Sequence, residues 1–410
     1  MGYHDLELLF ERWNGKICFF GAGLIGSTWA YDILKEMGIQ IDFYCDNGKE
    51  KEVEIRDGIK TISLDELYSL KDNVLVFITV SYKHQIAIRE QLEKKGICNI
   101  VEMDYLFLQN FINDLVEKND QRLNEKFKCI LDDKEYISRQ FMYYTGYWPN
   151  IDKPQTFNEK LQWLKLYDRK PEYTKMVDKY EVKKYIADLI GKEFVIPTLK
   201  IYDSSDEINF EELPEQFVLK CNHNSSIGLY ICRDKSSINE KKIKRELQDG
   251  IEQDFYLHGR EWPYKNVVRK IICEKYLVDG KQKELIDYKF YCFNGQPKFL
   301  YVSQGLENHK TAKISFLNLD WTFADFYRSD YEPFEEIPEK PQNYEKMIEI
   351  AKVLSKGIPF VRVDLYEVKN RIYFGELTLT PCSGMIPFMP QEADLRLGEM
   401  LELPDLNVFK

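Results

Sequence analysis

Charged residues set inside apolar strands are where this sequence can do chemistry. In Phe217-Val-Leu-Lys-Cys221, Lys220 interrupts an apolar run. An unpaired ammonium there is costly, so it must meet an anion or reach solvent. The loop that follows holds Asn222, His223, Asn224, Ser225, Ser226 and Gly228. Its short, donor-rich side chains suit phosphate oxygens. An outward-pointing edge lysine and an ordinary polar turn fit the same residues. Farther on, Ile271-Ile-Cys-Glu-Lys-Tyr-Leu277 carries Glu274 and Lys275, then bulky Tyr276 and Leu277. Such a strand can offer backbone groups to an adenine edge, or be a plain core strand with solvated charges.

A second constellation lies near the end. Phe360-Val-Arg-Val-Asp-Leu-Tyr-Glu-Val and Tyr373-Phe-Gly-Glu-Leu-Thr read as two strands of a hairpin. An odd-numbered loop centred on Asn370 sets Asp364 directly opposite Glu376. Like charges so placed repel unless a cation lies between them, and two carboxylates plus phosphate oxygens suit Mg²⁺. Arg362, two residues back on that face, is placed to neutralise a transferring phosphate. A two-residue turn at Lys369-Asn370 instead sets Glu376 opposite Val363 and breaks the pair. Composition alone allows both registers.

A third feature opens the chain. Gly21, Gly23 and Gly26 follow the apolar run Lys16–Phe20, and Asp46 ends the next strand twenty residues beyond Gly26. Glycines let backbone amides approach a pyrophosphate, and an acid there can accept a ribose hydroxyl. The ligand would be NAD or a nucleotide sugar. Glycines that only permit tight strand–helix packing are the alternative. No residues for hydride transfer stand beside the loop, so a dehydrogenase is not supported.

The elements that must position these groups differ along the chain. Up to about residue 104, strand-like runs (16–20, 39–45, 73–80, 99–103) alternate with helical ones (27–37, 84–95), which implies a parallel sheet with βαβ crossovers. Residues 47–72 read as a polar turn region. Residues 105–170 read as a helical connector, and 171–410 as a mixed α+β domain with hairpins, one of them at Asn294-Gly295. At 410 residues, several domains are expected. The formal net charge of −11, from 57 basic and 68 acidic residues, argues against a nucleic-acid surface. Nine cysteines without a C-x-x-C pair, and five histidines, argue against structural zinc or a disulfide framework. With neither an apolar leader nor a membrane-length apolar run, the expected location is cytoplasmic.

Taken together, Asp178-Lys179, F-V-L-K-C-N-H-N-S-S, I-C-E-K-Y-L, D-Y-K-F-Y-C-F-N-G, V-R-V-D and G-E-L-T-L-T-P-C-S-G-M resemble the ATP-grasp superfamily. They are most similar to its teichuronopeptide-biosynthesis (TupA-like) branch, over roughly residues 140 to 405. The first hundred residues resemble, more loosely, the Rossmann-type domains fused to polysaccharide enzymes. The implied fold is an α/β Rossmann-like domain (1–104) followed by an α+β ATP-grasp domain (171–410).

The resemblance implies ATP and Mg²⁺ as cofactors. Lys179 and Lys220 become ATP-binding lysines, Asn224–Gly228 a loop over the phosphates, and Glu274–Leu277 the adenine hinge. Lys289 faces the phosphates or the acceptor, and Arg362 stabilises the transferred phosphoryl group. Asp364, Glu376 and Thr378 are the metal ligands. Thr378 stands where many of these ligases have asparagine, and the loop is less rich in glycine than usual. Ser383 and Gly384 fall among substrate donors. The implied reaction joins a sugar-linked or small carboxylate to an amine through an acylphosphate, in capsule or surface-polysaccharide biosynthesis. An oligomer, or association with other polysaccharide-assembly enzymes, is compatible with that. A glycosyltransferase or other sugar-modifying transferase of the same pathway, and a non-catalytic nucleotide-sugar-binding module, are the alternatives.

Overall fold

A computed structural model describes residues 1–49, 52–225, 227–278, 285–306 and 312–405. The chain divides into two units, Met1–Pro149 and Asn150–Lys410. Helices of the 105–170 segment therefore fall in both. No helix among the described residues is long and apolar enough to cross a membrane.

The first unit is built on six strands: β1 (Lys16–Phe20), β2 (Phe43–Cys45), β3 (Glu54–Arg56), β4 (Ile59–Ile62), β5 (Val74–Ile78) and β6 (Ile100–Glu102). Their order is β3-β4-β2-β1-β5-β6, parallel except for the β3–β4 hairpin. β1 and β5 are almost wholly buried runs, as central parallel strands covered on both faces must be. The 47–72 region is thus more than a polar turn. It holds β3, β4 and the helix Leu64–Leu70, started by a Ser63/Glu66 capping box.

The second unit contains β7 (Thr198–Tyr202), β8 (Phe217–Cys221), β9 (Leu229–Cys232), β10 (Ile271–Lys275), β11 (Asp287–Phe293), β12 (Gln296–Gln304), β13 (Lys313–Asn318), β14 (Tyr327–Arg328), β15 (Phe360–Val368), β16 (Arg371–Thr378) and β17 (Phe388–Met389). They form a four-stranded sheet β7-β10-β8-β9, a five-stranded sheet β13-β12-β11-β15-β16 and the small pair β14-β17. The four-stranded sheet buries Phe217, Leu219, Cys221, Ile271 and Cys273 beneath the helix Glu240–Glu252. The five-stranded sheet packs Phe290, Leu300, Val361, Val363 and Leu365 against the helices Glu181–Ile190 and Tyr344–Ser355. Because side chains alternate along a strand, the opposite face of that sheet holds Lys289, Tyr291, Tyr301, Arg362 and Asp364. Its aromatic end is closed by Phe293, Phe299, Phe316 and Phe360.

Candidate functional site

On that face the charged residues meet as direct cross-strand neighbours. Lys289 of β11 stands opposite Asp364 of β15, which stands opposite Glu376 of β16. The Lys289 ammonium lies 2.5 Å from Asp364 Oδ2 and 3.1 Å from Asp287 Oδ1. Arg362 grips Asp364 with two hydrogen bonds, Nε to Oδ1 at 2.6 Å and Nη2 to Oδ2 at 2.7 Å. Its Nη2 also reaches Glu376 Oε1 at 2.7 Å and Thr378 Oγ1 at 2.9 Å. Thr378 donates to the same Glu376 oxygen at 2.9 Å. Burial alone would lower the pKa of Lys289 and Arg362, but the carboxylates around them outweigh it and hold both well above the usual range. Burial would likewise raise Glu376; Arg362, Lys179 and Lys289 instead pull it down to about 2.

The hairpin reaches this arrangement by an unexpected route. Its turn is the two-residue one, with Lys369 and Asn370 at φ +51° and +60°, and Val368 pairs Arg371. The register then shifts between Asp364 and Leu365: Leu365 pairs Phe374, while Asp364 pairs Glu376. Gly375 is the extra residue of a β-bulge. The turn that would separate the two acids is present, and so is their pairing.

The other pole lies on the four-stranded sheet, where Lys220 and Glu274 share the face away from the core. Glu274 is held by Lys220 at 2.6 Å and by Lys183 at 2.5 Å. Its burial favours the neutral acid, yet the two ammonium groups outweigh that and lower its pKa. Lys183 also donates to the Ile196 carbonyl and Thr198 Oγ1. The same face carries Val218, Ile201, Leu229 and Ile231, none of them in the core. A half-open apolar bed with a cation at its end fits a flat base joined to phosphates.

Lys179 is the most telling cation. Its ammonium donates to the Asn224 carbonyl, and burial pushes its pKa down although Glu376 opposes this. The residues just after it begin a helix that Asp178 caps, accepting from the amides of Tyr180 and Glu181. Lys183, which sequence reasoning missed, sits one helical turn beyond Lys179. Asp287 was missed as well, because a strand's first residue reads as solvent-facing.

The loop after β8 is mostly turned inward. Asn222 donates to Asp178 and to the Val268 carbonyl, Asn224 donates to the Gly250 carbonyl, and buried His223 shares a 2.9 Å hydrogen bond with the Gln253 carbonyl. Ser225 is exposed, whereas Ser226 lies outside the described residues. Gly228, at φ +72°, packs against Cys221 and Gly250. In the hinge stretch the Lys275 amide donates to the Pro197 carbonyl, and Tyr276 accepts from Arg233. Tyr276 and Leu277 are half-buried beyond the end of β10. Ser383 adjoins a further network: Lys165 donates to the Ser383 and Gly259 carbonyls, and Thr380 donates to Glu261.

In the glycine loop of the first unit Gly21 and Gly26 are tightly packed, whereas Gly23 is exposed with open space beside it. Gly21, at φ +117°, donates its amide to the Cys45 carbonyl. The Asp46 carboxylate accepts from Ala22 N at 2.9 Å and Gly48 N at 2.8 Å. The helix after Gly23 is only Leu24–Ser27, broken at Thr28. A Cβ on Gly26 would lie 2.3 Å from the Gly21 carbonyl oxygen.

Oxygen donors for a hard cation are therefore present as an opposed carboxylate pair plus a hydroxyl, the chemistry Mg²⁺ favours when phosphates and water complete its shell. Among the described residues, no group of three His, Cys, Asp or Glu side chains forms a ready-made metal cluster.

Comparison with known proteins gives one family: the model described as TupA-like ATPgrasp matches residues 159–402. Solved structures similar to the chain include D-alanine–D-alanine ligase from Helicobacter pylori, 13% identical over 96% of this chain and 100% of that one, TM-score 0.33. The Bacillus anthracis D-alanine–D-alanine ligase complexed with ATP is 13% identical, covering 89% and 86%, TM-score 0.30. N5-carboxyaminoimidazole ribonucleotide synthetase from Thermus thermophilus is 11% identical, covering 88% and 71%, TM-score 0.28. No curated protein matches the chain.

Proposed function

The chain belongs to the TupA-like ATP-grasp family, and from that premise we propose that it is an ATP- and Mg²⁺-dependent carboxylate–amine ligase of capsule or surface-polysaccharide assembly. The observation that carries this reading is the charged face itself. Asp364 and Glu376 stand opposed, with Arg362, Lys289 and Thr378 bonded to them. Lys179 and Lys220 supply positive charge from the neighbouring sheet and helix.

In this reading the apolar face of the four-stranded sheet receives adenine, and Lys179 and Lys220 meet phosphate oxygens. Glu274 holds Lys220 in place until then. Asp364, Glu376 and Thr378 would hold Mg²⁺, which would supply charge neutralisation at the phosphates. A substrate carboxylate oxygen attacks the terminal phosphorus and ADP leaves with the bonding electron pair. An amine then attacks the acyl carbon, the C–O bond to phosphate breaks, and the amine proton passes to solvent. Arg362 and Lys289 hold the acids in place and offset charge on the transferring group. Such a reaction requires positioning and electrostatics rather than a protein nucleophile.

The test is ATP turnover by the purified full chain, screened over uronic acids, nucleotide-linked sugars, amino acids and amino alcohols. Consumption should require Mg²⁺, a carboxylate and an amine together. Asp364→Asn should lower it by about 100-fold or more with the fold kept. Unchanged turnover in that variant would remove the metal assignment.

A further inference from the structure

We propose that Gly375 is a positioning residue of this site: the space it leaves empty lets a bulge turn Glu376 onto the Asp364 face while Tyr366 lies across it. The inference rests on the reading of Asp364 and Glu376 as metal-holding acids.

From the turn at Lys369-Asn370, regular pairing would bring Asp364 opposite Gly375 and Glu376 opposite Val363. Val363 is fully buried in the apolar cluster beneath the helix Tyr344–Ser355. A carboxylate sent to that face would enter a hydrophobic core, at severe cost. The bulge therefore cannot slip out, and any side chain at 375 has to be accommodated where it stands.

Little room exists there. A Cβ at Gly375 would lie 2.9 Å from Tyr366 Cε2, 3.2 Å from the Asp364 carbonyl oxygen and 3.4 Å from Asp364 Cβ. The φ of Gly375 is not in the left-handed region, so the demand is for space, not for backbone freedom. Both neighbours belong to the charged network. Asp364 is bonded to Arg362 and Lys289. The Tyr366 hydroxyl is hydrogen-bonded to Asp287. Asp287 in turn pairs with Lys289. A side chain at 375 would thus displace one acid directly and loosen a second through the tyrosine ring.

Titration calorimetry of ATP onto the full chain, with and without Mg²⁺, tests this using Gly375→Val and Gly375→Ala. Gly375→Val should weaken Mg²⁺-dependent ATP binding by about 10-fold, as displaced supporting residues do at metal sites. Its affinity for ATP without metal should stay near wild type, while its melting temperature should fall by the few degrees that overpacking costs. Gly375→Ala should show a smaller loss in the same direction, and carries the test alone if the valine variant does not fold. Equal Mg²⁺ response in wild type and variants overturns the inference, as does a loss that is the same with and without metal. A wild type whose ATP binding ignores Mg²⁺ takes down the reading of the acids and this inference with it.

Discussion

The glycine loop of the first unit and the charged hairpin of the second are both short motifs built around glycine and carboxylate, and they end in opposite states. In the first, Asp46 is engaged by the loop's own amides, and Gly26 is pressed against the Gly21 carbonyl. The Gly21 amide and the Asp46 carboxylate are already engaged, and of the three glycines only Gly23 faces open space. In the second, two acids face each other across strands and share one guanidinium, and the Lys179 ammonium donates to a backbone carbonyl. Asp287, Asp364 and Glu376 share the cations Arg362 and Lys289 as one network rather than as separate pairs. A motif becomes a candidate site when its polar groups are left with capacity after the fold has taken its share.

Arg362→Met attacks the crowded side of that contrast most strongly. It leaves Asp364 buried with Lys289 alone, and removal of one partner from a buried ion pair costs about 3–5 kcal/mol. Denaturant unfolding should show that loss. A near-neutral result would mean that the acids do not depend on the guanidinium, and the contrast would collapse. On the satisfied side, Gly26→Ala should destabilise by about 1–3 kcal/mol through overpacking, read by thermal unfolding, with Mg²⁺-dependent ATP binding unchanged. Altered ATP binding at unchanged stability would show the loop to be a ligand site after all.

A smaller effect follows pH. Burial pushes His223 down to about 4, so between its unfolded value near 6.5 and about 4 the unfolded chain binds a proton that the native chain does not. Stability should therefore fall as pH drops through that window. His223→Gln should remove about 1–2 kcal/mol of the difference between pH 7 and pH 5, measured by urea titration at both. His258, which burial pushes down to about 3, keeps part of the slope in the variant.

Much of this was legible from the chain alone, and the gaps have physical causes. Lys16–Phe20, Phe217–Cys221 and Phe360–Val368 match the observed strands, because buried apolar runs announce themselves. Glu54–Arg56 and Ile59–Ile62 were lost in a polar stretch, since a short edge hairpin buries little; the Ser63…Glu66 spacing was the available signal. Charges inside apolar strands pointed to Lys220, Arg362, Asp364 and Glu376. Lys183 and Asp287 carry no such contrast with their neighbours. The hairpin register depended on Gly375, whose bulge no turn rule anticipates.

Asn222 has a mechanical consequence. Fully buried, it joins the Asp178 cap, the Val268 carbonyl and the Lys270 amide. It thereby rivets the start of the lysine-bearing helix, the end of β8 and the approach to β10 into a single piece. Lys179, Lys183 and Lys220 then travel together as a stiff jaw. Any closing over a ligand has to bend the chain elsewhere.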